Sequence, residues 1–160
     1  MLSRDEISNV AVASSASNCD AFHMTQPDFS AKMAVNCIEG ALKRADMCGV
    51  DYVNLHGTCT QANDKMEAKA VNLTLGATFA STIKPQIGHT LGAAGAIESA
   101  ICAMLCMEEN SLLPPHVYDG EYDDSLEAIN LVKSGTKFDV KTAMSLSFAF
   151  GGDNAAIIFK

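Results

Sequence analysis

The residues best suited to chemistry in this chain are two histidines beside glycines, His56 in His56-Gly57-Thr58-Cys59-Thr60 and His89 in Gly88-His89-Thr90, with Lys84 five residues before the second. The run after His89, from Leu91 to Met107, is almost wholly apolar and reads as a helix starting from a Thr90 cap. The free N–H groups and dipole at that helix start disfavour an imidazolium and predict a neutral ring at His89. A neutral imidazole can donate a hydrogen bond to a developing oxyanion without carrying a proton it would lose. A loop histidine by itself is more often a surface or core residue, and Gly-rich turns more often serve close packing. The case for chemistry rests on the second His motif and on a Gly-rich loop near the C-terminus, Phe148-Ala149-Phe150-Gly151-Gly152-Asp153-Asn154.

Such residues need elements to hold them. Tyr52–Leu55 reads as a strand that stops at His56, which puts this histidine at the carboxyl end of a sheet, where open α/β folds place their ligands. A helix over about Asn63–Leu75 follows, with Asp64 and Glu67 in its first turns, where acids favour the dipole, and Gly76 ends it. Earlier in the chain, Val10–Ser15 is a run of small and β-branched residues that predicts a strand, and Asn18–Thr25 is a polar loop. Asp28 or Ser30 is placed to cap a helix reaching about Arg44, because Met33, Ile38, Ala41 and Leu42 recur near helical spacing. Ala77–Ile83 is a brief strand feeding the Lys84 loop, and Pro114-Pro115 forbid a central strand at their position. Tyr118–Leu131 is acidic and polar and reads as a long surface connection, before two closing strands at Thr142–Ser147 and Ala155–Phe159. This order predicts an α/β domain with a mixed sheet of about five strands covered by helices. Its early strands should be parallel, since crossover-length helices follow them, and its last two antiparallel.

A chain of 160 residues, 48% of them hydrophobic, is enough for one domain with its own core. A formal net charge of −8 and a pI near 4.8, without any basic cluster, argue against nucleic-acid binding. The six cysteines, Cys19, Cys37, Cys48, Cys59, Cys102 and Cys106, have neither C-x-x-C spacing nor histidines at zinc-finger intervals. They predict reduced thiols in a cytoplasmic protein. The N-terminus, with Arg4, Asp5 and Glu6, has no apolar run of signal-peptide type. Leu91–Met107 is interrupted by Glu98 and short for a membrane span, so it reads as a buried helix.

Four segments, in order, resemble one family. His56-Gly57-Thr58-Cys59-Thr60 with Asn63-Asp64 and Glu67 resembles the H-G-T-x-T…N-D…E signature of the β-ketoacyl-acyl-carrier-protein synthases. Lys84 with Gly88 to Gly95 is similar to their K…G-H-x-L-G-A-A-G element, and Ser145 to Asn154 to their S-N-S-F-G-F-G-G-x-N loop. Asp20-Ala21-Phe22-His23-Met24-Thr25 resembles their D-A-Y-H-M-T segment. The resemblance spans nearly the whole chain and implies the C-terminal half of a thiolase-like fold.

It also implies roles. His56 and His89 would be the two N–H donors to the enolate formed when a malonyl-carrier thioester loses carbon dioxide, each donor being worth about 3 kcal/mol by comparison with oxyanion holes. Lys84 would order the site, paired with Glu98 fourteen residues on. That pairing would also settle the cost of a carboxylate on an apolar helix. Phe150 would be a gating residue whose N–H joins the oxyanion hole, and Thr58, Thr60 and Phe148 would bind substrate. Asn54, Glu67, Glu98 and Ser145 would match a structural cation site of some members, a set oxygen ligands would suit. No cofactor would be required, the phosphopantetheine arm arriving on a partner acyl carrier protein. The family's nucleophile is a cysteine of the N-terminal half, which these residues do not match, so a complementary half and a homo- or heterodimer are implied. Departures are Cys59, read as a tolerated small residue, Leu146 in place of Asn, Ala149 in place of a hinge Gly, and a shortened interval between His56 and Lys84. An alternative is a non-catalytic partner of the chain-length-factor kind, but such subunits often lose the histidines kept here. A thiolase using coenzyme A would carry a Cys-Gly-Gly element where this chain has Phe150-Gly151-Gly152.

Overall fold

Strands and helices alternate along residues 10–160, the part of the chain that the computed structural model describes. In chain order they are β1 (Val12–Cys19), α1 (Lys32–Ala45), β2 (Tyr52–Asn54), α2 (Gln61–Leu75), β3 (Phe79–Ser81), α3 (Lys84–Ile87), α4 (Ala94–Met107), β4 (Ser111–Leu112), β5 (Asn130–Leu131), β6 (Lys137–Phe138), β7 (Ala143–Phe148) and β8 (Asp153–Phe159). Six strands form one sheet in the order β1-β8-β7-β2-β3-β5, while β4 and β6 pair separately. The β2–β3, β2–β7 and β3–β5 pairs are parallel, and β8 runs antiparallel to both of its neighbours.

Two apolar layers sandwich the sheet. Val53, Met144, Leu146, Ala156 and Ile158 pack with Ile38 of α1 and Met66 and Val71 of α2 on one side. On the other side Tyr52, Ala143 and Phe159 pack with Cys102 and Leu105 of α4. The period-two alternation of strand side chains assigns neighbours such as Tyr52 and Val53 to opposite layers. Both faces of β2 and β7 are therefore covered, and their short apolar runs are buried almost end to end.

The structure departs from expectation at particular places. The sheet has six strands because β5 emerges from the end of the acidic connection 118–131 and pairs with β3, so that connection is not wholly a surface loop. The first strand is longer and later than Val10–Ser15; its Ser14 hydroxyl donates to the Ala41 carbonyl of α1 at 2.7 Å, while Ser15 and Ser17 face solvent. Helix α1 begins after Ala31, which has left-handed dihedrals and gives no side-chain cap. The Asp28 carboxylate instead accepts the Ser30 N–H and hydroxyl at 2.9 and 2.6 Å, and the Ser30 hydroxyl accepts the Lys32 N–H at 3.3 Å. Thr90 does not cap α4 either: a 3-10 turn, Leu91–Ala93, precedes the helix, and the Thr90 hydroxyl is buried without a partner.

Helix α4 is apolar on nearly all faces, yet the sheet covers only one of them. Met104 at 58% and Met107 at 60% stay open to solvent in line with exposed Ala96 and Ala100, and Leu91 of the preceding 3-10 turn is 77% exposed. No helix among the described residues is long and apolar enough to cross a membrane. At about 25 cal/mol per Å², leaving ~300 Å² of apolar surface uncovered forgoes roughly 7 kcal/mol, comparable to a domain's net stability. The 160-residue chain by itself is therefore expected to self-associate at micromolar concentration and to bind a hydrophobic dye. A Met104→Glu, Met107→Glu variant should do both less, and a wild-type monomer in sedimentation that ignores the dye would show that this face is already covered.

Candidate active site

His56 lies one residue beyond Leu55, where the β2–β3 pairing ends with the Leu55 N–H donating to the Ser81 carbonyl at 2.8 Å. The chain turns sharply there through Gly57, whose φ is +51° and whose added Cβ would stand 2.4 Å from the Thr82 side chain. Only glycine fits that conformation and that space. The Glu67 carboxylate holds the turn from α2, one oxygen accepting the His56 N–H at 2.7 Å and the other the Gly57 N–H at 2.8 Å. The second oxygen also accepts the Asn63 amide at 3.0 Å. Burial pushes Glu67 up to about 7 against the pull of these donors. Burial, reinforced by the charge of Lys84 and by His89, lowers His56 to about 4, so its imidazole is neutral near pH 7.

His89 follows α3, the four-residue helix between β3 and the 3-10 turn. Lys84 opens α3 and is buried, and its ammonium pairs with the Glu98 carboxylate of α4, which is 1% exposed. Burial raises Glu98 while the Lys84 ammonium opposes that rise. The Thr82 hydroxyl accepts the Lys84 N–H at 3.3 Å, so one side chain touches the loops after both β2 and β3. The Leu91 N–H donates to His89 Nδ1 at 3.1 Å, which leaves the ring proton on Nε2. The expected neutral donor is thus held by a single backbone N–H across a 3-10 turn, not by the first turn of an α-helix. The rings of His56 and His89 lie 5.7 Å apart at 86°, and Phe148 stands edge-on to His56 at 6.1 Å.

A cleft of about 550 Å³ opens above these rings, lined by His56, His89, Thr58, Thr60, Phe148 and Phe150. The Thr58 and Thr60 hydroxyls are 3.2 Å apart, and Thr60 also caps α2 by accepting the Asn63 N–H at 3.4 Å. Phe150 is 79% exposed at the mouth. Lys84 and Glu98 are buried and are not on the cleft wall.

The opposite wall comes from Asp20, His23 and Thr25, which sequence reasoning noticed as a motif but assigned no role. Asp20 accepts the Asn154 amide at 2.6 Å and the Asp28 N–H at 3.1 Å, while its own N–H donates to the Gly152 carbonyl at 2.8 Å. The Gly151 N–H donates to the Met24 carbonyl at 2.7 Å, so the two loops are stitched together. No local sequence signal marks that role, because Asp20 and Asn154 meet only where β1 and β8 are neighbours. Ala149 has φ −102° and ψ 162°, open to any residue, so the missing glycine leaves this conformation unstrained. Leu146 is fully buried in the core layer facing α1 and α2. Cys59 lines a smaller cavity of about 90 Å³ with His116 and Tyr122, and burial and Asp64 raise its thiol, which disfavours the thiolate.

The expected cation set receives no support. Asn54, paired in register with Ser145, alternates onto the α4 side of the sheet, where Glu98 also lies, whereas Glu67 comes from α2 on the opposite side and already accepts three N–H donors. Among the described residues no three His, Cys, Asp or Glu side chains gather to hold a metal ion, and the expected set has only two residues of those types. The Asn54 Oδ1 and Glu98 Oε2 atoms are buried without partners.

A mixed sheet between helical layers, with two histidines and a buried Lys–Glu pair at the carboxyl ends of its parallel strands, defines half of a thiolase-like ketosynthase fold. The pattern of the family described as beta-ketoacyl synthase, C-terminal domain, matches residues 10–118, and the chain belongs to that family. It is 40% identical over 149 residues to 3-oxoacyl-(acyl-carrier-protein) synthase 2 of Rhizobium meliloti, covering 88% of this chain and 34% of that protein. To the enzyme of the same name from Coxiella burnetii it is 36% identical over 145 residues, covering 87% and 34%. A chain in the complex of the ketosynthase ApeO with its chain length factor ApeC from Xenorhabdus doucetiae superposes with a TM-score of 0.88 at 35% identity, covering 96% of this chain and 39% of that one. The chain spans about a third of the length of the curated relatives it matches.

The neutral state of His56 has a measurable consequence. Its folded value of about 4 lies below the ordinary 6.5, so the unfolded state binds more protons between these pH values and stability falls as pH drops through that window. At 1.36 kcal/mol per unit the loss approaches roughly 3 kcal/mol. The stability difference between wild type and His56→Gln should therefore shift in favour of the variant by about that amount from about pH 7 to about pH 4. A difference that stays constant in denaturant titrations across this range would mean that His56 titrates normally in the folded protein.

Proposed function

We propose that this domain supplies the enolate-stabilising half of a β-ketoacyl-acyl-carrier-protein synthase, which joins a malonyl-carrier thioester to an acyl thioester in fatty-acid or polyketide synthesis. The observation that carries the reading is the His56–His89 pair, two rings 5.7 Å apart at the base of one cleft. Loss of carbon dioxide sends the C–C bonding electrons into the thioester, and charge develops on its oxygen. Neutral N–H donors already aimed at that oxygen stabilise it without reorganisation. His89 Nε2–H is such a donor, with Nδ1 already engaged by the backbone. The low value of His56 keeps its ring a neutral donor as well. The enolate carbon then attacks the acyl thioester carbonyl and expels the thiolate of the nucleophilic cysteine.

That cysteine belongs to the complementary N-terminal half, on the same or another polypeptide. Thr58 and Thr60 offer hydroxyls along the cleft to the phosphopantetheine arm of an acyl carrier protein, and Phe150 flanks the entrance. The Lys84–Glu98 pair orders the loop carrying His89. The open face of α4 fits burial against the complementary half, in a homo- or heterodimer. Retention of His56, Lys84 and His89 favours a catalytic domain over a chain-length-factor-like partner. One structurally similar ketosynthase, 29% identical with a TM-score of 0.85, is in complex with its acyl carrier protein, which supports that partner by analogy.

The isolated 160-residue chain should show no condensation of acyl and malonyl carrier thioesters, since Cys59 lines the smaller cavity and not the cleft of the His pair, and its thiol is raised. In the complete synthase, His56→Ala and His89→Ala should each lower malonyl-carrier decarboxylation about 100-fold, the scale of removing one oxyanion-hole donor. Near-normal decarboxylation in either variant would remove that histidine from the role, and turnover by the isolated chain that a Cys59→Ala change abolishes would overturn the assignment of the nucleophile.

A further inference from the structure

We propose that His116 is a positioning residue for the loop leading to His89: its unprotonated imidazole takes the place of a rung of the β3–β5 ladder and holds Thr82, and through Thr82 the start of α3. This rests on the reading of His89 as an enolate donor. In the parallel β3–β5 pair the Val132 N–H donates to the Ala80 carbonyl at 2.9 Å, so the next rung would run from the Thr82 N–H to the Val132 carbonyl. That rung is replaced by His116. The Val132 carbonyl accepts the His116 N–H at 2.9 Å, and His116 Nδ1 accepts the Thr82 N–H at 3.4 Å. The neighbouring Pro115 carbonyl accepts the Gln86 amide of α3 at 3.0 Å, so the same segment also braces that short helix.

Thr82 is fully buried, so its N–H is cut off from water and needs this acceptor. The Thr82 side chain fills the space at Gly57, and its hydroxyl accepts the Lys84 N–H at 3.3 Å. A shift of Thr82 therefore reaches Lys84 and the passage to His89. A neutral imidazole accepts at one nitrogen, whereas both nitrogens of an imidazolium are donors. Protonating His116 would set an Nδ1–H against the Thr82 N–H and break the hold. Burial keeps the ring below the ordinary histidine range, so it is neutral near pH 7. The ring faces Tyr118 at 5.5 Å and shares the smaller cavity with Cys59, Tyr122, and Asp64 and Glu67 of α2. The one cation of α3, Lys84, is paired with Glu98.

The test uses the complete synthase with two variants. His116→Leu removes the acceptor, while His116→Asn offers an amide oxygen near the Nδ1 position that does not titrate. His116→Leu should lower decarboxylation kcat about tenfold near neutral pH, with acyl transfer to the nucleophilic cysteine, which does not need the enolate donors, within about twofold of wild type. Hydrogen–deuterium exchange should rise at residues 81–84 in the same variant. His116→Asn should decarboxylate within about threefold of wild type near neutral pH, and the ratio of wild type to His116→Asn should fall about fivefold from about pH 7.5 to about pH 5. Asp64 and Glu67 are present in both proteins, so that ratio cancels their own titration. Decarboxylation by His116→Leu within about twofold of wild type, a His116→Asn profile parallel to that of wild type, or an equal fall in acyl transfer and decarboxylation would each overturn the proposal. If His116→Leu does not fold, the His116→Asn profile decides alone. A His89→Ala enzyme that decarboxylates normally would defeat the reading of His89 and with it the purpose of the brace. Failure of the brace itself reads out separately, as unchanged exchange at 81–84 in His116→Leu.

Discussion

The buried pair of Lys84 and Glu98 is the interaction on which the arrangement of the second histidine depends. Helix α4 carries a single charge on an otherwise apolar surface, and that charge is removed from water. Desolvating one carboxylate costs several kcal/mol unless a cation meets it in good geometry. Lys84 can do so only if the four-residue α3 lies against α4, and this in turn fixes where the chain passes between them. His89 sits on that passage. A hydrophobic contact could slide by an ångström at little cost, but a matched pair of buried charges cannot.

The first histidine reaches the same place for a topological reason. Strands β2 and β3 are adjacent and parallel, so their carboxyl ends deliver two loops to one edge of the sheet. Thr82 lies between those loops, filling the space at Gly57 and accepting the Lys84 N–H. The antiparallel β7–β8 hairpin brings its Gly-rich turn to that edge from the other neighbour of β2, with Phe148 beside His56. Proximity then has an electrostatic effect. The Lys84 charge adds to burial in holding His56 unprotonated, while Glu98 confines the ammonium in a buried pair. A neutral imidazole at His56 and a fixed cation at Lys84 are therefore parts of one arrangement.

Much of this was legible in the chain. The Gly residues beside each histidine, the strand ending at His56 and the lone Glu98 on an apolar helix all carried local physical signals, and the structure places them as those signals imply. What escaped depended on neighbours far apart in sequence. Strand β5 is two residues long and exists only because β3 has a free edge. The caps of α1 and α4 read as ordinary Ser, Asp and Thr signals, but the residues just inside adopt left-handed dihedrals, Ala31 and Leu91, and redirect the hydrogen bonds. Asp20 holds the Gly-rich turn across more than a hundred residues, a relation no window of sequence contains. The contacts of Glu67 escaped for a similar reason: its two backbone donors appear only once the turn at Gly57 is drawn.

The two histidine loops are in the end anchored in the same way from opposite sides. Helix α2, packed on one face of the sheet, sends Glu67 to the backbone of the His56 turn, and helix α4, packed on the other, sends Glu98 to Lys84 at the start of the His89 loop. Each carboxylate is buried, each is raised by that burial, and each is offset by donors belonging to the loop it holds. Loops at the carboxyl ends of strands have few backbone partners of their own, because the ladder has ended and water is excluded by the site above. A helix-borne acid is a compact answer, since its position is set by a whole apolar helix face while its two oxygens supply the directional bonds. Each histidine loop is thus tied to a helix packed on a different face of the sheet, and the two rings meet 5.7 Å apart above it.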